Sequence, residues 1–244
     1  VIAMPTVQNP LGCTMPLAAK KRLARLMNDH QVPLIEDGLY AEIQFGGALS
    51  PAVKAFDRDG WVLFCSSFTK TLAPDFRVGW ICGGRFHEAL RKLKAVSSMS
   101  ESQLLSETLA TFLESGGYDH HLRNLRKRYA AQVDEARALI ARHFPRGTLA
   151  TQPAGGFVFW VEFPPGVDSG AVPPAVGGAD LFDAGHPVFP QRALPQCAAA
   201  LLLLPVQRAL HPGVGPARRQ GLRDERPAAR YCAGRVTARA FCYN

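Results

Sequence analysis

Ser66-Ser67-Phe68-Thr69-Lys70-Thr71-Leu72-Ala73-Pro74-Asp75-Phe76-Arg77-Val78-Gly79-Trp80 is the stretch on which the reading of this chain turns. Its single lysine follows two hydroxyl residues, Ser67 and Thr69, and precedes Arg77. Apolar runs flank it, Trp61 to Cys65 before and Val78 to Cys82 after. Hydroxyls and a guanidinium together make a small clamp for a phosphate group. A lysine beside such a clamp can condense with an aldehyde that carries the phosphate. Alone, Lys70 would be an ordinary solvated charge. The residues upstream therefore carry the decision.

Two more polar groups follow apolar runs there. Asn9-Pro10-Leu11-Gly12 comes after Val1-Ile2-Ala3-Met4, and Asp37 and Tyr40 come after Val32-Pro33-Leu34-Ile35. Each stands where a core strand is expected to end, the place where open α/β sheets bind ligands. A carboxylate there can keep a pyridine nitrogen protonated, and amide or phenol donors can stabilise a phenolate oxygen. Asp37 has the first capacity; Asn9 and Tyr40 have the second. Lysine, phosphate clamp, carboxylate and phenolate donors together are what pyridoxal 5'-phosphate (PLP) requires. Each motif also has a plainer meaning by itself. Asn9-Pro10 reads as a turn, Asp37-Gly38 as a turn or helix cap, and Arg77 as a surface charge on an apolar stem. The joint pattern is what argues for a site.

In these residues the chain resembles the fold-type I PLP-dependent aminotransferases of class I/II. The likeness is to the branch holding 2-aminoadipate-type aminotransferases and the aminotransferase-like effector domain of MocR/GntR-type bacterial regulators. It rests on Asn9-Pro10-x-Gly12, Asp37-Gly38-Leu39-Tyr40, Ser67-Phe68-Thr69-Lys70-Thr71-Leu72-Ala73-Pro74 and Arg77-Val78-Gly79-Trp80. The resemblance implies that Lys70 is the Schiff-base lysine and moves the proton. It implies that Asp37 holds the pyridinium, that Asn9 and Tyr40 bond the phenolate oxygen, and that Ser67, Thr69 and Arg77 bind the phosphate. It further implies a homodimer acting on an amino acid, 2-oxo acid or amine ligand, with DNA bound only through a segment outside this chain. One departure is Asp75, where the family has glycine at a sharp turn. Aspartate tolerates a left-handed backbone better than most residues, so either a solvent-facing Asp75 or a weakened phosphate clamp follows.

The same resemblance implies an α/β three-layer sandwich with a mostly parallel sheet. Residues 1–118 are expected to form part of a large PLP-binding domain, and 119–163 an interdomain helix and the start of a small α+β domain. Val1 already lies in a strand-like run, so an upstream beginning is expected, with the family's Gly-rich phosphate turn and ring-stacking aromatic in it. After Phe163 the character changes: 11 of 19 prolines and nine arginines fall in 164–244, with no lysine or isoleucine. Such a Pro/Arg/Ala-rich tail suggests a slipped reading frame or a disordered natural tail. The family's arginine for the substrate carboxylate belongs in this stretch; Arg192 and Arg208 lie there, but no surrounding pattern selects either.

Composition agrees with an ordinary globular protein, 47% hydrophobic and 20% charged in 244 residues. The longest apolar run, Cys197 to Pro205, is far short of the ~20 residues of a membrane span. Six cysteines show no CxxC pair, no metal grouping is visible, and Cys65 and Cys82 read as buried thiols, which fits a reducing cytoplasm. No GxGxxG, P-loop or GxSxG occurs. The net charge of +8 is diffuse and makes no defined nucleic-acid patch.

Periodicity gives the elements. Leu17 to His30 is a predicted amphipathic helix with Thr14 and Pro16 as start signals, and strands are predicted near 33–36, 61–66 and 78–82. Helices follow over Arg85 to Val96, Ser102 to Glu114 and Asp119 to His143. The last carries Leu122, Leu125, Tyr129, Val133, Ala136 and Ile140 on one stripe. His120-His121 and the arginines 123, 126 and 128 read as its solvated side. Gly155 to Phe163 is a predicted strand, and Ala198 to Leu204 keeps a short apolar run. Three functions remain open at this level. They are a regulator's PLP-binding effector module, a free-standing aminotransferase moving an amino group between an amino acid and a 2-oxo acid, and an inactive truncated product.

Overall fold

The computed structural model describes residues 1–167 and 198–202. Four strands form the first sheet in the order of the chain: β1 (Ile2–Ala3), β2 (Leu34–Asp37), β3 (Val62–Ser67) and β4 (Gly79–Cys82). The first three run parallel and β4 returns antiparallel to β3. Helix α1 (Leu17–Asp29) crosses between β1 and β2, as a parallel pair requires. It buries Ala24 and Met27 against Leu34, Val53 and Val62. Pro16 stands at its N-cap, where a missing N–H costs nothing. Thr14, expected as a start signal, instead accepts the Val7 N–H at 3.1 Å.

Strand alternation divides the sheet into two faces. The register Ile2–Ile35–Leu63 and Asp37–Cys65–Ile81 puts these residues, with Ser67, on one side. Leu34, Glu36, Val62, Phe64, Ser66 and Trp80 point to the other, beneath α1. The short β1 is not the core strand its composition suggests. It is an edge strand whose Ile2 is 77% exposed, because no element covers that end of the sheet among the described residues. Cys65 is likewise only half-buried, and Cys82 is exposed on β4, the edge strand at the opposite side of the sheet.

Buried charge pins α1 to this sheet. The fully buried Lys20 ammonium donates to Thr6 Oγ1 (2.6 Å), Ser50 Oγ (2.9 Å) and the Pro51 carbonyl (2.9 Å), which satisfies all three of its protons. Burial pushes its pKa down, and the Glu36 charge opposes that. Glu36 accepts the N–H groups of Val53 and Lys54 at 2.8 Å each. Burial pushes its carboxyl up, and those bonds hold the rise in check.

Helices α2 (His87–Ser97) and α3 (Gln103–Glu114) lead to α4 (Gly117–His143). The stripe expected on α4 is the buried one: Leu122, Tyr129, Val133, Ala136 and Ile140, joined by Tyr118, with Leu125 packed beside them. Strands β5 (Leu149–Ala150), β6 (Val158–Glu162) and β7 (Ala198–Leu202) form a second, antiparallel sheet. Phe157, Phe159, Val161 and Phe163 bring this sheet against α4. The same cluster takes in Val7, Tyr40 and Ile43 from the first sheet's loops, so the two sheets share a core. Backbone bonds fasten the seam: Phe45 N–H to Ala154 O (2.8 Å), Gly156 N–H to Ile43 O (2.8 Å) and Ala154 N–H to Gly12 O (3.1 Å). Gly12 has φ +71°, and an added Cβ there would collide with Pro153. Only glycine lets these chains cross.

The described residues thus form an α/β arrangement with a mostly parallel first sheet and a smaller antiparallel unit. Apart from β7 and residues 164–167, the Pro/Arg/Ala-rich tail lies outside the described residues, as do Arg192 and Arg208. Among the described residues no helix is long and apolar enough to cross a membrane.

Candidate functional site

The loop from Phe68 to Val78 is closed at its base by the β3–β4 ladder, where Ser67 pairs with Gly79 and the Phe68 N–H reaches the Val78 carbonyl at 3.0 Å. Within it, Leu72 and Ala73 donate to the Phe68 carbonyl (2.8 and 3.1 Å), which curls the chain tightly around Lys70. A single 3₁₀ turn, Pro74–Phe76, brings it back. Arg77 follows in the left-handed conformation (φ +51°, ψ +26°). The expected left-handed residue was Asp75; the turn places the reversal two residues later, and Asp75 lies exposed on the 3₁₀ turn. A non-glycine residue held there stores strain of about 1 kcal/mol or more.

This closure surrounds a cavity of about 310 Å³ lined by Ser67, Thr69, Lys70, Arg77, Val78, Gly79 and Leu39. All four phosphate-side and lysine residues expected from the sequence therefore share one recess. Ser66, the other hydroxyl, faces away and donates to the Gly38 carbonyl at 3.2 Å. Asp37 ends β2 on the same sheet face as Ser67. Its Oδ1 accepts the N–H of Leu39, a cavity residue, at 3.0 Å. Gly38 must stay bare, because an added Cβ would strike the Phe64 ring.

Asn9 and Tyr40 are placed differently. They line a separate crevice, too narrow to admit a water molecule, with Gln8, Gly156 and Phe157. Asn9 is exposed, and its carbonyl accepts a bond from Gln8 Nε2 at 2.6 Å. The Tyr40 ring is buried and meets Phe157 edge-on at 5.3 Å. Burial first, and then the Asp37 charge, push its phenol up to about 12. It therefore stays a neutral hydrogen-bond donor at ordinary pH. Leu39 lines the first recess and the next residue, Tyr40, lines the second, so the two are neighbours across the Asp37–Tyr40 turn.

Sequence reasoning missed the residues behind Lys70. Thr71 is 1% exposed and is met by Tyr118 and His121 from the start of α4. His121 is thus not on the solvated side of the helix, and neither is Arg126, which donates to the Glu42 carbonyl at 2.7 Å. No local pattern announces such pairings, which join residues 47 to 84 positions apart.

The recess fits a phosphate-bearing aldehyde on its own chemistry. Two hydroxyls and a guanidinium offer donors to an anion, a primary amine stands among them, and 310 Å³ lies within the range of small-molecule sites. Among the described residues no cluster of His, Cys, Asp or Glu could hold a metal ion.

Comparison with known proteins agrees. The sequence pattern of the family "Aminotransferase class I and II" matches residues 1–172. A protein described as the uncharacterized HTH-type transcriptional regulator YdcR of Escherichia coli K12 is 36% identical over 167 residues, 68% of this chain and 36% of its own. Aromatic-amino-acid aminotransferase 1 of Thermococcus litoralis is 32% identical over 172 residues, 69% of this chain and 41% of its own. Among solved structures, the α-aminoadipate aminotransferase LysN of Thermus thermophilus, complexed with N-(5'-phosphopyridoxyl)-L-leucine, superposes with a TM-score of 0.63. Its identity is 27%, over 69% of this chain and 44% of that one. The chain spans about two-fifths of the length of such relatives. With 172 residues matched, it belongs to the aminotransferase class I and II family, in the fold-type I architecture.

Proposed function

We propose that this chain is a PLP-binding, aminotransferase-like module, belonging to a MocR/GntR-type regulator, with Lys70 as its attachment point. The observation that carries this reading is the convergence of Ser67, Thr69, Lys70 and Arg77 on one cavity at the carboxyl end of β3. Arg77 and the two hydroxyls anchor the phosphate; a guanidinium gives paired, charge-assisted bonds where a lysine would give a point charge. Lys70 provides the amine, and when freed it holds or moves the substrate α-proton. Asp37 keeps the ring nitrogen charged. Tyr40 and Asn9 offer donors to the ring oxygen from the adjoining crevice. When bound, PLP supplies the electron sink for the substrate's α-carbon. The regulator reading draws on the relative at 36% identity, a transcriptional regulator by its description.

The free-standing aminotransferase is the second reading, favoured by the relative named as one at 32% identity. The site residues serve both equally. A winged helix-turn-helix encoded ahead of Val1 selects the regulator; its absence from the full gene selects the enzyme.

Titration with PLP followed by absorbance tests the shared claim. A band at longer wavelength than free PLP is expected for the wild type, and Lys70→Ala is expected to remove it. Survival of the band in the variant rules out Lys70 as the attachment point.

A further inference from the structure

The first turn of α4 carries two side chains that reach the residue next to Lys70. Tyr118 and His121 are three positions apart and so share a helix face. The Tyr118 hydroxyl lies 2.7 Å from Glu42 Oε2 and 2.8 Å from Thr71 Oγ1. A phenol has one proton. The carboxylate takes it, so the Thr71 hydroxyl donates to the phenol oxygen. Burial and the Glu42 charge hold that phenol protonated well above its ordinary range, against the bond from Thr71. His121 Nε2 lies 2.7 Å from the Thr71 carbonyl, so that nitrogen carries a proton and donates it. The Tyr118 ring also meets Phe68 edge-on at 5.5 Å.

Thr71 is thereby gripped through side chain and backbone at once, and the curl around Lys70 is fixed from behind. The same helix also holds the turn that follows Tyr40. Glu42 belongs to the short turn after Tyr40, and its carbonyl accepts the Arg126 Nε bond. Simple core filling would need only apolar bulk at these positions. A buried polar chain with each member partnered instead specifies one arrangement, because any shift leaves a group unsatisfied.

We propose that Tyr118 and His121 are positioning residues for Lys70, holding Thr71 so that the Lys70 amine is presented to the cavity. The proposal rests on the reading of Lys70 as the attachment point for PLP. It assigns no contact between Tyr118 or His121 and the ligand.

The test labels the full chain with PLP and sodium borohydride. The lysine amine adds to the aldehyde carbon, water leaves, and hydride from borohydride reduces the C=N bond to a stable secondary amine. Peptide mass spectrometry then gives the ratio of labelling at Lys70 to that at the exposed Lys92. The wild type is expected to label Lys70 far ahead of Lys92. Tyr118→Phe keeps the ring on Phe68 but loses the hydroxyl, and Thr71→Val loses its partner. Each is expected to lower the ratio about fivefold. Thr71→Ser keeps the hydroxyl and is expected to retain the wild-type ratio. His121→Leu, at a half-buried position, gives the same fall and decides the matter should Tyr118→Phe not fold. A merely structural role lowers thermal stability without moving the ratio. An unchanged ratio in folded Tyr118→Phe and His121→Leu therefore overturns the proposal. A wild-type ratio near one is a different result: it overturns the attachment reading itself, and the positioning role with it.

Discussion

At the scale of single residues, Arg77 carries two burdens that a variant can separate. The residue lines the cavity, while its backbone occupies the left-handed region that costs a side-chain-bearing residue energy. Arg77→Gly removes the strain together with the charge. It is expected to leave the melting temperature unchanged or higher while weakening PLP binding by about tenfold or more. Equal loss of stability and binding would show that the backbone is not strained there. Ser67, Thr69, Lys70 and Arg77, which the structure gathers in one cavity, stood out in the sequence because their side-chain types suit a phosphate and an aldehyde. What the sequence left hidden was the distribution of the expected site residues: Asn9 and Tyr40 occupy a crevice beside the main cavity. Spacing along a chain does not encode which loop folds over which.

At the scale of elements, the turn that starts β3 hangs on one acid. The Asp57 side chain is fully buried and takes the Lys54 ammonium at 2.8 Å and the N–H groups of Gly60, Trp61 and Val62 at 3.0 to 3.1 Å. Burial pushes its carboxyl up, but the Lys54 bond and charge with the Val62 and Trp61 bonds outweigh it, so the net pKa falls below the usual 3.8. A lowered carboxyl stabilises the fold above its unfolded-state value and loses that contribution as pH falls through the folded value. Acid titration should therefore show stability declining below about pH 4. Asp57→Asn should lower stability near neutral pH by about 1–3 kcal/mol and flatten that decline. A wild-type acid limb left unchanged by the substitution would remove Asp57 from the account. The second sheet depends on packing instead. Phe159 is fully buried between α4 and the loops of the first sheet, so Phe159→Ala should cost about 3–5 kcal/mol in denaturant unfolding. A cost under about 1 kcal/mol would mean that the shared core is not there. Helices and long strands were legible from their periodicity, down to the buried stripe of α4. The 3₁₀ turns and the two-residue β5 were not, since so few residues show no period. Nor was the exposure of Ile2, which depends on what covers the sheet rather than on the strand's own composition.

At the scale of the whole molecule, two sheets meet across a shared core, and α4 runs from the back of the Lys70 loop to the second sheet. The cavity opens where β3 ends and β4 begins, and Asp37 closes β2 on the same face. Family membership follows from the match over residues 1–172, and the chain spans about two-fifths of the length of relatives that include both a regulator and an aminotransferase. The central claim is that one PLP molecule bridges the Lys70 cavity and the Asp37–Tyr40 turn. A crystal structure of the full chain grown with PLP tests it most directly. The expected density is continuous with Lys70 Nζ, with the phosphate among Ser67, Thr69 and Arg77 and the ring nitrogen beside the Asp37 carboxylate. Density for the ligand elsewhere, or at Lys70 with the ring turned away from Asp37, would contradict the account.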